Sequence, residues 1–335
     1  MKKVGQIYKI HSDFYWVTCD GVTYECKVRE VLKKQDVKVF VGDLVEFNIT
    51  SPNTGIIEGI LPRKSFLTRP SVANVSQAVI ISAIKEPELD FEQLNRYISF
   101  AQYHGIKTKL CFNKSDLSEN DEILEKVFSI YEPLGFDIMF TSALENIGTE
   151  EFKEALEDEL TVFCGSSGVG KSSLINAIFP DMRLKTKSVS EKTQRGTHTT
   201  RHCEICEEGK IKIIDTPGFS NLKFDFLLPH EVATLFEEIR EFSKDCKFNN
   251  CLHLHEKDCN VLKNLDKIDE TRYKSYVSFV KEAQDFKEKL QKEGLKKETF
   301  QKENLNKKIA KISAQKRQQS RNNLKQEIYK ELDNE

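Results

Sequence analysis

The stretch CGSSGVGKSS, from Cys164 to Ser173, decides the fold of this chain. From Gly165 onward it matches the pattern GxxxxGK[ST] without a gap. The apolar run LTVFC precedes the match and SSLINAIF, with helical spacing, follows it, so the loop joins a buried strand to a helix. In that context backbone N–H groups surround phosphates, Lys171 neutralises the β- and γ-phosphates, and Ser172 offers its hydroxyl to Mg²⁺. We therefore predict a phosphate site formed by Gly165, Ser166, Ser167, Gly168, Val169, Gly170, Lys171, Ser172 and Ser173.

A second motif, NKSD from Asn113 to Asp116, ends the strand-like run TKLCF. The Asp116 carboxylate can accept hydrogen bonds from N1–H and the exocyclic amine of guanine, whereas adenine presents a lone pair at N1 and no amine. We predict that Asn113 ties the loop and contacts the base, and that the Lys114 stem covers the ring. The TSA triplet after the next strand, with Ser142 and Ala143, completes a GTP or GDP pocket through a backbone N–H to guanine O6.

The motif DTPG begins at Asp215, about fifty residues after the phosphate loop, and follows the apolar strand IKIID. Asp215 is predicted to hold Mg²⁺ through water, and the Gly218 N–H to bond the γ-phosphate and report its loss. The intervening stretch GTHTT contains a threonine that closes on Mg²⁺. Thr199 and Thr200 are both candidates, and Thr199 is slightly favoured.

The residue after DTPG is Phe219, where many GTPases have a glutamine that orients the attacking water. Phenylalanine cannot do this, so another group acts or unaided hydrolysis is slow. His198 is the best nearby candidate, and a role as an ordinary loop residue is equally compatible with the sequence.

The order of these motifs differs from that of an ordinary GTPase, in which the phosphate loop comes before the base-reading loop. Here the base loop comes first, followed by TSA, the phosphate loop, the threonine stretch and DTPG. We predict a circularly permuted domain, which preserves the sheet if the original termini were close together. Permutation joins the segment after DTPG directly to the C-terminal domain, and so couples that domain to nucleotide state.

The segment CKFNNCLHLHEKDC contains three cysteines and two histidines at metal-ligand spacing. The preferred zinc ligands are Cys246, Cys251, His253 and Cys259. His255 is the alternative to His253. Four protein ligands leave no open position, so the predicted role of the ion is structural.

The chain has 335 residues and a formal net charge of −2, so binding to nucleic acid would have to depend on local patches. The longest apolar runs are too short to span a bilayer and no signal peptide is visible, so we expect a cytoplasmic protein whose nine cysteines are thiols or metal ligands. Cys203 and Cys206 are predicted to lie on opposite faces of one strand, which prevents joint chelation.

Hydrophobic patterning divides the chain into four predicted regions. They are an all-β barrel (1–64), an α/β circularly permuted P-loop GTPase domain (65–222), an α-rich zinc-binding domain (223–285) and a charged tail, helical or disordered (286–335). The barrel pattern fits an OB-fold, with an SH3-like barrel as the alternative.

These motifs, in this order, resemble the RsgA family of circularly permuted GTPases that associate with the small ribosomal subunit. The resemblance covers about residues 1–283 and includes NKSD, GSSGVGKSS, GTHTT, DTPGF and the Cys-x4-Cys-x-His-x5-Cys spacing. It implies an OB-fold, a permuted GTPase domain and a zinc domain, with His198 as the switch histidine and the four ligands named above.

The resemblance further implies GTP hydrolysis stimulated by the 30S subunit, contact with its 16S rRNA, and a role in late maturation. For catalysis we expect Lys171, Thr199 and His198 to act with Mg²⁺, and we expect a monomer with no DNA or membrane partner. Two alternatives stay open: a GTP-dependent switch that acts on a protein partner, and an RNA-binding module with weak GTPase activity.

Overall fold

The computed structural model describes most of the chain, in six ranges: 2–35, 37–68, 70–179, 203–215, 222–224 and 227–303. The chain divides into two compact units, Met1–Asn221 and Leu222–Glu335. Among the described residues, no helix combines the length and apolar character needed to cross a membrane.

The first unit begins with a closed five-stranded barrel. Its elements are β1 (Lys2–His11), β2 (Phe14–Cys19), β3 (Val22–Val28), the short helix α1 (Glu30–Lys34), β4 (Leu44–Ser51) and β5 (Thr54–Ile60). The strands pair in the order β1-β2-β3-β5-β4, and β4 returns to β1. The β3–β5 pair is parallel, while the other pairs in the barrel are antiparallel. Alternate residues point inward, and Val17, Cys26 and Phe47 are fully buried. The closed barrel agrees with the predicted OB-like fold.

The P-loop domain follows the barrel in the same unit. Its strands are β6 (Phe66–Thr68), β7 (Ser71–Ala73), β8 (Gln77–Ala83), β9 (Lys107–Asn113), β10 (Asp137–Phe140), β11 (Leu160–Cys164), β12 (Glu204–Glu208) and β13 (Ile211–Asp215). Its helices are α2 (Phe91–Tyr103), α3 (Glu122–Tyr131), α4 (Thr149–Glu154) and α5 (Lys171–Ile178). Strands β10-β9-β8-β11-β13 are parallel, and β12 adds to β13 antiparallel. The central strands β8 and β11 are buried along their whole length, as their continuous apolar sequences predict.

The barrel and the P-loop domain share one continuous sheet, because β1 pairs with β12. Lys9 lies opposite Glu204 in this ladder, and the Lys9 ammonium contacts the Glu204 carboxylate at 2.8 Å. Both side chains are about two-fifths exposed, so this ion pair contributes little energy by itself. The strand that follows the threonine stretch is thus attached directly to the barrel.

The second unit is helical. It comprises a 3₁₀ helix (Pro229–Leu235), α6 (Glu237–Ser243), α7 (Asn260–Lys263), a 3₁₀ turn (Leu265–Lys267) and α8 (Glu270–Glu303). Arg272, 1% exposed, donates from Nε and Nη2 to both oxygens of Glu238, at 2.7 and 3.0 Å, and packs over the Phe236 ring. This ion pair is buried with its hydrogen bonds satisfied, which offsets its desolvation. Helix α8 continues through the predicted border at 285/286, so part of the predicted tail belongs to this helix.

Candidate functional site

The phosphate loop connects β11 to α5, as its sequence predicts. Gly168 and Gly170 have φ values of +83° and +88°, which residues with a side chain rarely adopt. A Cβ on Gly170 would lie 2.3 Å from Asn113 Nδ2. Glycine is therefore required at position 170 both by the backbone and by the close approach of the base-reading loop.

The Asn113 side chain joins three motifs that are separate in the sequence. It is 1% exposed, and its Nδ2 donates to the Val169 carbonyl in the phosphate loop at 2.9 Å. Its Oδ1 accepts from the Thr141 hydroxyl and from the Ala143 N–H, both at 3.2 Å. The NKSD, TSA and phosphate loops thus form one connected structure at the carboxyl ends of β9, β10 and β11. These bonds hold the three loops together although their order along the chain is permuted.

The base-reading loop presents its carboxylate to solvent. Lys114 adopts a left-handed conformation with φ of +62°, and its ammonium donates to the Glu86 carbonyl. The following turn, Ser115–Leu117, leaves Asp116 exposed. The Ser115 N–H donates to the Thr141 carbonyl at 3.0 Å and fixes the turn against the TSA loop. Asp116 is therefore held on a fixed backbone with its acceptor oxygens accessible.

The TSA loop is held mainly by its own backbone. Ser142 exchanges two backbone hydrogen bonds with Ile147, at 2.9 and 3.0 Å, and its hydroxyl accepts from the Glu145 N–H at 3.1 Å. The Ala143 N–H, predicted to reach guanine O6, donates to Asn113 in this structure. A bound guanine would place O6 beside Asn113 Oδ1 as a second acceptor for the Ala143 N–H, or in its place.

Lys171 lies within the phosphate loop and bonds to its backbone. Its Nζ donates to the carbonyls of Gly165 and Ser166, at 2.7 and 2.6 Å. Burial lowers the pKa of Lys171. Burial raises the pKa of Tyr97 in α2, and its interaction with Ser166 of the phosphate loop opposes that rise; sequence analysis missed this contact because no motif includes Tyr97.

The remaining predicted nucleotide and magnesium residues are placed only in part. Ser167, Ser172 and Ser173 are exposed at the loop and the first turn of α5, and Asp215 ends β13. His198, Thr199, Thr200 and Gly218 lie outside the described residues. Their roles stay predictions.

The second unit contains the predicted metal cluster. One potential ligand atom from each of four residues lies within 4.8 Å of all the others: Cys246, Cys251, His253 and Cys259. The sulfurs of Cys246 and Cys259 are 3.8 Å apart, and His253 Nδ1 lies 3.6 and 3.3 Å from them. Zn–S bonds of about 2.3 Å and Zn–N bonds of about 2.1 Å, arranged tetrahedrally, separate ligand atoms by about 3.6–3.8 Å. The donor set and its spacing therefore fit zinc.

The other histidine and cysteine candidates lie elsewhere. His255 is exposed and is not in the cluster, so the geometry favours His253. Among the described residues, Cys203 and Cys206 belong to no group of metal-ligand geometry. Burial raises the pKa of Cys251 to about 12, so binding of a cation there would displace a proton.

Glu256 organises the loop that carries His253. Its carboxylate accepts from the N–H groups of Leu252, Leu254 and His255, at 2.6, 2.8 and 3.1 Å. Burial opposes its ionisation, but these donors together hold the pKa of Glu256 at about 2. The hydroxyls of Tyr273 and Tyr276 complete the loop by donating to the carbonyls of His253 and Leu252, at 2.7 and 2.8 Å. Sequence reasoning missed Glu256 because its partners are backbone groups, which leave no side-chain motif.

We expect Glu256→Gln to weaken zinc binding by roughly 10- to 100-fold, the range for residues that orient metal ligands. Glutamine keeps one acceptor oxygen but puts an amine where N–H groups point, so the loop loses its preset shape. Competition with a chromogenic chelator measures the affinity. Glu241→Gln, an exposed glutamate in the same unit, is the control. Equal zinc affinity in the two variants would contradict the positioning role of Glu256.

Comparison with known proteins gives consistent matches along most of the chain. The family models described as RsgA N-terminal domain and RsgA GTPase match residues 4–57 and 60–225, and one described as 50S ribosome-binding GTPase matches 161–313. A relative from Geobacillus sp. (strain WCH70), "Small ribosomal subunit biogenesis GTPase RsgA", is 40% identical over 84% of this chain and 98% of its own. A protein of the same name from Alkaliphilus metalliredigens (strain QYMF) is 39% identical over 83% of this chain and 97% of its own.

Two solved structures share the fold. YjeQ from Thermotoga maritima superposes with a TM-score of 0.75 at 32% identity, and the match covers 84% of this chain and 99% of that one. YloQ, described as a circularly permuted GTPase, gives a TM-score of 0.72 at 31% identity, covering 85% of this chain and 96% of that one. The match to YloQ agrees with the permutation predicted from motif order.

Proposed function

The chain belongs to the RsgA family and is a P-loop GTPase, and we propose that it binds the small ribosomal subunit and hydrolyses GTP at a late step of subunit maturation. The observation that carries the enzymatic part is the Asn113 side chain, which joins the guanine-reading loop to the phosphate loop. The names of its relatives support the ribosomal part. GTP reacts with water to give GDP and phosphate.

Each part of the pocket has a proposed task in that reaction. Asp116 selects guanine, and the backbone N–H groups from Gly165 to Ser173 hold the phosphates. Lys171 leaves its carbonyl partners to neutralise the β- and γ-phosphates. Mg²⁺, when bound, would offset the charge on the phosphate oxygens, and its proposed holders are Ser172, Thr199 or Thr200, and, through water, Asp215.

We propose that hydrolysis is slow without a partner. Phe219 cannot orient water, and His198 is the proposed substitute. The Gly218 N–H is the proposed sensor of the γ-phosphate. Since the threonine stretch leads into β12, and β12 is hydrogen-bonded to β1 of the barrel, a change at the phosphates has a short route to the barrel.

The partner is proposed to be the 30S subunit, contacted through its 16S rRNA. The zinc ion has a structural role, because its four protein ligands leave no open position. The protein is proposed to act in the cytoplasm as a monomer, without DNA or membrane partners. The alternatives are a GTP switch that acts on a protein, and an RNA-binding module with weak GTPase activity.

We expect purified 30S subunits to stimulate GTP turnover at least tenfold, and 50S subunits to leave it near the basal rate. His198→Ala should lose most of the stimulation, because general-base or water-orienting groups contribute roughly 100-fold or more. Phosphate release is measured with the protein alone and with each subunit. Lys192→Ala, another substitution in the same stretch, is the control.

The outcomes test the ribosomal role separately from the role of His198. Stimulation that persists in His198→Ala would keep the ribosomal role and demote His198 to an ordinary loop residue. Stimulation by 50S subunits alone would transfer the role to the large subunit. No stimulation by either subunit would favour the protein-switch alternative.

A further inference from the structure

Every residue of the loop between the first two cysteines of the metal cluster is exposed. It consists of Lys247, Phe248, Asn249 and Asn250, and Phe248 is 52% exposed. The Lys247 ammonium lies 5.5 Å from the centre of the Phe248 ring. The backbone is fixed at both ends, because Cys246 N–H donates to Ser243 and Cys251 N–H donates to Phe248, both at 3.1 Å. An aromatic ring and a cation are thus held at the surface on a short, anchored loop.

A cleft of about 440 Å³ adjoins this loop in the same unit. Its walls come from the loop, the 3₁₀ helix and α8: Pro229, His230, Asn250, Leu252, Gln284, Lys287, Glu288 and Gln291. Only Pro229 and Leu252 are apolar. The volume lies in the range of small-ligand sites, about 300–1,000 Å³. Asn250 contributes to both the loop and the cleft, which makes them one continuous surface.

Four polar side chains of this cleft are available for a ligand. Those of His230, Asn250, Gln284 and Gln291 make no hydrogen bond to another residue that the structure describes. Carboxamides present a donor and an acceptor side by side, and this pairing matches the edge of a nucleobase. The Glu288 carboxylate lies 3.6 Å from the exposed Lys292 ammonium and can also accept from an exocyclic amine.

We propose that the loop 247–250 and the adjoining cleft bind unpaired RNA, with one base stacked on Phe248 and a neighbouring base read in the cleft. An exposed aromatic ring stacks on any base, and a flanking lysine neutralises the phosphate backbone. Six of the eight lining residues are polar or charged, Lys287 and Glu288 among them, whereas the buried centre of a protein–protein interface is depleted in charged residues. The inference rests on the proposed function, to which it adds a specific RNA contact.

The test uses the full-length, zinc-loaded protein and a short fluorescent RNA without secondary structure. We expect Phe248→Ala to weaken binding roughly 5- to 150-fold, the range for loss of one stacked base. Phe128→Ala, at a residue 51% exposed on α3, is the matched control and should bind normally. Gln284→Ala should weaken binding through the cleft alone. The same RNA annealed to its complement should bind the wild-type protein and the variants with equal affinity. The bases of a duplex stack on one another and are not free to stack on Phe248.

Salt distinguishes this site from the charged tail. Raising the salt concentration weakens the contribution of lysine–phosphate contacts to RNA affinity steeply. The factor by which Phe248→Ala weakens RNA binding should stay constant, because stacking involves no charge. Zinc content is measured for each variant. If Phe248→Ala has lost zinc, the wild-type protein is crosslinked to the RNA with ultraviolet light. Crosslinks to residues 247–250 would support the site, and crosslinks only to other residues would overturn it.

The remaining outcomes also separate the site from the proposed function. Equal RNA binding by zinc-loaded Phe248→Ala and Phe128→Ala would overturn the site even if 30S subunits stimulate the GTPase. Loss of RNA binding in Phe248→Ala without any 30S stimulation would keep the site and remove the ribosomal role. If Phe248→Ala binds RNA normally but no longer captures a ribosomal protein, the surface binds protein and the proposal is wrong.

Discussion

Replacing Lys171 with alanine is expected to lower kcat for GTP hydrolysis by roughly 100- to 1,000-fold, the usual effect of removing one group that stabilises transition-state charge. In the structure, the Lys171 ammonium bonds to two carbonyls of its own loop, Gly165 and Ser166. It therefore already lies inside the proposed phosphate site, partly desolvated, where its charge would act strongly on a developing negative charge. Steady-state phosphate release at saturating GTP measures kcat.

The same lysine also ties the loop, so loss of loop shape must be separated from loss of charge. Affinity for GMP, which has no β- or γ-phosphate, should be unchanged in Lys171→Ala, whereas affinity for GDP and GTP should fall. Lys109→Ala is the matched control, because Lys109 also donates to a backbone carbonyl, that of Ala155, at 3.2 Å. An equal loss of GMP, GDP and GTP binding would show that Lys171 acts only by shaping the loop.

The parts of this fold that sequence analysis predicted are those with local signals. The strand, loop and helix around Gly165 are encoded in consecutive residues, and the permutation follows from the order of the NKSD and GxxxxGK[ST] motifs. The buried strands β8 and β11 were visible as continuous apolar runs. The sequence likewise predicted that Asn113 ties the loop, although the structure was needed to identify Val169 and Ala143 as partners.

The parts that were missed depend on long-range or backbone contacts. Pairing of β1 with β12 joins residues nearly two hundred positions apart, and a strand edge has no sequence signature for its partner. The hairpin β6–β7 and helix α1 are too short for periodicity to emerge. The stretch PHEVATLFEEIREF has the spacing of one helical segment, but it divides at Phe236 into a 3₁₀ helix and α6, because Phe236 leaves helical geometry with φ of −122° and ψ of 110°.

The metal loop shows the same limit within a motif that was recognised. Spacing alone left His253 and His255 both possible, because they are two residues apart. The backbone decides between them. His253 has a φ of +55° and is buried. The Glu256 carboxylate accepts hydrogen bonds from the N–H groups of Leu252 and Leu254, the residues on either side of His253. The conformation of His253 depends on these backbone bonds and on the hydrogen bonds from Tyr273 and Tyr276. The spacing of ligands in the sequence contains no information about such contacts.

Replacing Asp116 with asparagine is expected to weaken GTP binding by roughly 100- to 10,000-fold, since it disrupts two hydrogen bonds to a charged acceptor, each worth about 1.5–3 kcal/mol. An amide keeps one acceptor but turns a donor toward the N1–H or the amine of guanine. Xanthine has a carbonyl where guanine has its amine, so the amide is complementary to it. Asp116→Asn should therefore prefer XTP to GTP, and hydrolyse it.

This reversal of base preference identifies Asp116 more firmly than loss of activity would, because a misfolded variant binds neither nucleotide. The turn that carries Asp116 is held by backbone bonds from Ser115 to Thr141 and from Leu117 to Lys114, both at 3.0 Å, so the substitution leaves its support intact. Asp121→Asn is the matched control, since Asp121 is an exposed aspartate before α3 whose side chain makes no capping hydrogen bond. Turnover of GTP and of XTP, each measured by phosphate release as a function of nucleotide concentration for the wild-type protein and the variants, gives the preference. If Asp116→Asn still prefers GTP, then Asp116 does not read the base, and specificity must come from the Asn113 and Ala143 contacts.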